Sequence, residues 1–121
     1  NSLYTLEGVE ELLGEAYGRP ATPAEVDLYT APLLREGMAH AYVRYAHLAG
    51  TIDLPVEAID EPVLVVWGEA DATVERARAD GVVERLPRSR FVPIEGAAHL
   101  PMETHPNEVS AAILRWVNAL E

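Results

Sequence analysis

Apolar positions near the start of the chain recur three and four residues apart, at Leu6, Val9, Leu12, Leu13, Ala16 and Tyr17. Residues at that spacing share one side of a 3.6-residue turn, so the segment is predicted to be an amphipathic helix. Thr5 can cap its start, and Gly18 followed by Pro20 ends it. Thr22-Pro23-Ala24-Glu25 reads as a capping box with proline at the first helical position. It opens a short helix that carries Val26 and Tyr29 and stops near Pro32. A third helix is predicted from about Pro32 to Leu48, with Leu34, Met38, Tyr42, Tyr45 and Leu48 on one side and Gly50 at its end.

Near residue 54 the pattern changes. Pro62-Val63-Leu64-Val65-Val66-Trp67 is unbroken, largely β-branched and bounded by Pro and Gly, as in a strand buried on both faces of a parallel sheet. A helix from about Val74 to Leu86 offers Ala77, Val82, Val83 and Leu86 for packing. A second strand, Arg90 to Ile94, leads into Gly96-Ala97-Ala98-His99. A last helix, starting near Thr104 to Pro106, buries Val109, Ile113, Trp116, Val117 and Leu120. Strand–helix–strand–helix at this spacing implies a right-handed parallel crossover. The fold class is therefore α/β, with an all-helical segment over residues 1–54 and the alternating unit over 55–121. Two parallel strands make a poor sheet alone, so the sequence looks like the C-terminal part of something larger.

Two residues draw attention because each follows a predicted buried strand. Asp71 ends Trp67-Gly68-Glu69-Ala70-Asp71, and His99 stands in Gly96-Ala97-Ala98-His99-Leu100-Pro101. In open α/β sheets, sites form at the carboxyl edge of the strands. A carboxylate meeting an imidazole there would fix its tautomer and stabilise its cation, leaving the other ring nitrogen as a general base. The plainer alternatives are that Asp71 caps the following helix and that His99 is a loop residue.

Composition narrows the rest. The 121 residues contain no cysteine, which excludes a disulfide scaffold, a thiolate metal site and a cysteine nucleophile among them. Twenty acids face nine bases, all arginine, for a net charge of −11. A negative chain without a basic stripe is a poor partner for nucleic acid or for anionic membranes. No apolar run approaches the roughly 20 residues of a membrane span, and no leader-like segment opens the chain. A cytoplasmic location is the expectation. His40, His47, His99 and His105 never form a His-x-x-x-His pair, so no metal and no cofactor is expected.

The stretch from Glu61 to Leu120 resembles the C-terminal end of an α/β-hydrolase. The shared features are the Pro-bounded strand into Trp67-Gly68-Glu69-Ala70-Asp71, then Leu86-Pro87, then Gly96-Ala97-Ala98-His99-Leu100-Pro101 and a final helix. The resemblance implies that Asp71 is the acid and His99 the base of a nucleophile–His–Asp triad, in the family's order of acid before histidine. It likens residues 1–54 to the helical cap of many members, with Tyr42, Tyr45 and Leu100 as candidate lining of a substrate pocket. Ala98 stands where the family usually has Gly. Glu75 replaces a common Pro. Glu103 sits one place before a common Glu, at the position here taken by Thr104.

No Gly-x-Ser-x-Gly or Gly-x-Asp-x-Gly elbow occurs, and the serines are Ser2, Ser89 and Ser110. The expectation is thus a hydrolase fragment for an ester or similar small acyl substrate, complete once joined by its N-terminal half. Such a piece would pair with that half or with another copy of the chain. The alternatives are an epoxide hydrolase or dehalogenase with an Asp nucleophile, or a non-catalytic binding module of the same fold.

Overall fold

A computed structural model describes residues 5–49 and 54–120. By internal contact the chain forms two compact units. One holds the chain up to Gly14 together with Pro20–Leu54, and the other holds Glu15–Arg19 together with the chain from Pro55 onward.

The first unit is helical. α1 (Leu6–Tyr17), whose residues from Glu15 on are counted with the second unit, begins at Thr5, whose Oγ1 accepts the Gly8 N–H at 3.1 Å. It ends at Gly18, in the left-handed region with φ +66°. α2 (Pro23–Leu33) starts with the expected capping box: Glu25 N–H donates to Thr22 Oγ1, and the Thr22 N–H donates to Glu25 Oε2. α2 ends at Leu33, one residue past Pro32 and near where the sequence ends it. The Pro32 ring removes one N–H, yet Leu34 N–H still donates to Thr30 O at 3.2 Å, so the helix closes just after the proline. α3 spans Met38–Ala49, starting later than the pattern predicts, because Gly37 at φ +79° breaks the backbone between the two helices. The end predicted at Gly50 lies outside the described residues. Val9, Leu13, Val26 and Thr30 are buried, while Leu34, Met38, Tyr42, Tyr45 and Leu48 are exposed.

The second unit contains β1 (Val63–Gly68), α4 (Arg76–Arg85), β2 (Ser89–Ile94), a single turn α5 (Pro101–Thr104) and α6 (Pro106–Asn118). β1 and β2 are parallel, in a register that sets Val63 beside Ser89 and Gly68 beside Ile94. α4 packs on β2, and α6 packs on both strands. Tyr17, Ala79, Leu86, Ile94, Ala97, Ala98 and Ala112 form the unit's buried apolar core.

Three packing expectations need correction. Val63 to Trp67 is half-buried and not enclosed on both faces, since each strand has one neighbour and helices cover it in part. α6 buries Ala112, while Val109 and Trp116 are half-buried and Ile113, Val117 and Leu120 are exposed. On α4 it is Ala79 that is buried, whereas Ala77 and Val82 face solvent. Among the described residues no helix is long and apolar enough to cross a membrane.

Candidate active site

The site is built by the backbone beyond the two strands. Because Gly68 and Ile94 are register partners, β1 and β2 end at one level. Glu69 N–H donates to Ile94 O at 3.1 Å and Ala70 N–H to Ala97 O at 2.9 Å, which stitches the two outgoing loops together. Gly96, at φ +72°, turns the second loop back, and Ala97 N–H closes that turn on Ile94 O. The loops approach so closely that a Cβ on residue 68 would stand 1.9 Å from Ala98 O and 2.5 Å from Ala97 O. Only glycine fits. Ala97 and Ala98 are 0% and 1% exposed as a result.

This closeness delivers Asp71 and His99 to each other. His99 Nδ1 lies 2.9 Å from Asp71 Oδ2, and the side chains are 36% and 4% exposed respectively. The other carboxylate oxygen, Oδ1, accepts the N–H groups of Thr73 at 2.9 Å and Val74 at 3.0 Å. Asp71 does not cap α4, whose N-cap is Glu75 without a side-chain cap hydrogen bond; it closes the turn ahead of that helix and holds the imidazole. Burial alone would push the Asp71 carboxyl up. The hydrogen bond from His99, those from Val74 and Thr73 and the imidazole charge together outweigh burial, and the group stays below its ordinary value of 3.8. An ionised carboxylate only accepts, so the shared proton sits on Nδ1, and in the neutral form of the ring the lone pair is on Nε2.

Leu100 is half-buried at the start of α5. Tyr42 and Tyr45 belong to α3 of the first unit and are exposed. Sequence reasoning misses a second side-chain pairing, in which Tyr17 Oη donates to Glu103 Oε2 at 2.6 Å. The only sequence signal for it is that Glu103 stands one place from a position where the hydrolase pattern often has Glu. Among the described residues no three His, Asp or Glu side chains are grouped to hold a metal ion.

No family model matches the chain. Over 122 residues it is 31% identical to epoxide hydrolase A of Mycobacterium tuberculosis (strain ATCC 25618 / H37Rv), a match covering 95% of this chain and 38% of that protein. Among solved structures, a serine hydrolase involved in carbazole degradation (the CarC enzyme) superposes with a TM-score of 0.82 at 22% identity, covering 96% of this chain and 48% of the other. A membrane phospholipase A gives 0.75 at 21% identity, covering 98% and 39%. An α/β-hydrolase fold protein from Burkholderia ambifaria gives 0.68 at 24%, covering 95% and 44%. The chain thus spans less than half the length of each of these proteins. With the parallel strand pair and these shared architectures, the chain has the fold of the corresponding part of an α/β-hydrolase.

Proposed function

We propose that these residues supply the acid and the base of a hydrolase acting through a covalent intermediate, with His99 as general base and Asp71 orienting it. The carrying observation is the 2.9 Å contact between His99 Nδ1 and the enclosed carboxylate of Asp71. That contact supports Nε2 as the atom that takes a proton. The Asp71 carboxylate then stabilises the imidazolium that forms.

The nucleophile lies outside these 121 residues, which contain no Gly-x-Ser-x-Gly and no Gly-x-Asp-x-Gly. With a serine nucleophile and an ester or similar acyl substrate, His99 would remove the serine proton and later activate water to release the acyl group. A second reading is favoured by the 31% identity to an epoxide hydrolase. There a carboxylate opens the epoxide ring to give an enzyme-bound ester, and His99 activates the water that hydrolyses it.

The test uses the full natural protein that contains these residues, assayed on aryl esters and on aryl epoxides. His99→Gln should lower turnover about 1,000-fold or more, and Asp71→Asn roughly 100- to 10,000-fold, with the fold intact by circular dichroism. Mass spectrometry of His99→Gln separates the substrates. An accumulating epoxide adduct marks a carboxylate nucleophile, whereas failure to acylate marks a serine. A folded His99→Gln variant with wild-type turnover would remove His99 from the mechanism.

A further inference from the structure

The residue after His99 is tied to a distant part of the chain. Leu100 N–H donates to Ala16 O at 3.2 Å, so the last turn of α1 holds the backbone immediately beyond the histidine. Leu100 O in turn accepts the Thr104 hydroxyl at 3.1 Å and the N–H groups of Glu103 and Thr104, which fixes α5 to the same point. On the other side of His99, a Cβ on Gly18 would lie 3.2 Å from the Ala98 Cβ, so the end of α1 is seated against the loop there too. The side chains repeat this arrangement. Tyr17, 5% exposed, sends its hydroxyl to Glu103 at 2.6 Å, while the Arg19 guanidinium covers its ring at 4.7 Å from the centroid. All these residues belong to the second unit.

We infer that Tyr17 and Glu103 form a brace that positions His99, locking α5 to the end of α1 so that the imidazole stays aligned on Asp71. The two are positioning residues and touch no reacting atom. Asp71 restrains the ring from one side, but a ring can swing about its own Cα unless the backbone on both sides is fixed. The strand-end hydrogen bonds fix the side before His99, and the brace fixes the side after it. Misplacement of a catalytic group by about 1 Å can cost 100-fold in rate, so a brace at this point bears on turnover before it bears on binding.

The inference rests on the role given to His99 above, and the test keeps the two apart. In the full natural protein, Tyr17→Phe keeps the ring and loses the hydroxyl, while Glu103→Ala loses the acceptor at an exposed position and should fold. Each should lower kcat roughly 10-fold with KM within about twofold, and the double variant should be no worse than either single one. Glu103→Gln, which still accepts the tyrosine proton, should restore most of the rate. In proton NMR the downfield His99 Nδ1–H signal should broaden in Tyr17→Phe and Glu103→Ala and persist in Glu103→Gln. Unchanged kcat and an unchanged Nδ1–H signal in Glu103→Ala would overturn the brace, even with His99→Gln inactive. If His99→Gln keeps full activity, the catalytic reading fails instead, and the Nδ1–H signal alone decides whether the brace orients the ring.

Discussion

The loops beyond β1 and β2 and the exposed face of α3 are held in place by different means. In the loops, Glu69, Ala70 and Ala97 are all hydrogen-bonded through the main chain, and Gly68 leaves no room for a side chain. Along α3, Met38, Tyr42, Tyr45 and Leu48 carry apolar surface that stays open, Tyr45 being 66% exposed. The first arrangement is specified by geometry that few substitutions preserve. The second is specified by a helical repeat that many apolar residues would satisfy equally. A site that needs two side chains at hydrogen-bond distance belongs on the first kind of structure, and that is where Asp71 and His99 stand.

Substitutions can probe that contrast. Gly68→Ala should be the most damaging, at about 3–5 kcal/mol in urea unfolding of the full natural protein, because the new Cβ meets backbone that cannot swing aside. A loss below about 1 kcal/mol would show that the loops give way and are less rigid than α3's own backbone. Asp71→Asn should come next, at about 1–3 kcal/mol near neutral pH, since its amide would face the His99 Nδ1 proton.

That loss depends on pH in a definite direction. Asp71 titrates below its unfolded value, so its stabilising effect is complete above the ordinary 3.8 and disappears as pH falls through the lowered folded value. Acid titration should therefore bring wild type and Asp71→Asn together. A gap that stays constant down to pH 2 would separate the stability effect from the carboxylate charge.

Thr22→Ala should cost about 1 kcal/mol, by removing the side chain that accepts the Glu25 N–H at the start of α2. Tyr45→Ala should change stability by less than about 0.5 kcal/mol. A loss of several times that would show the α3 face to be covered in the full protein, and would erase its contrast with the loops.

Much of this was legible from residue order, for local reasons. Thr5, the Thr22–Glu25 box and Gly18 act within one turn of chain, so the limits of α1 and the start of α2 can be read directly. Asp71 and His99 stand out because each follows a bounded apolar strand. Their 2.9 Å meeting depends on the β1–β2 register, which aligns Gly68 with Ile94 and which neither strand states alone. The late start of α3 turns on Gly37, where a backbone angle and not a hydrophobic pattern decides. On α6 the repeat marks which side is apolar, but not how much of it is covered: Ala112 is buried and Ile113 is not. Tyr17 and Glu103 lie 86 positions apart, and no periodicity connects them.

The shared level of the two strand ends makes the site a matter of counting. Asp71 is the third residue after Gly68, and His99 is the fifth after Ile94. One residue gained or lost in 69–70 or 95–98 would shift a side chain along the chain by about 3.3 Å, more than the hydrogen bond between the two can span. Between Glu75 and Arg88, beyond the Thr73 and Val74 N–H groups that bind Asp71, neither count is involved. α4 can lengthen or shorten by whole turns, and its exposed flanks can accept an inserted segment, while both links keep their length. Changes of length in this region therefore belong to the crossover, and Asp71 and His99 remain paired through them.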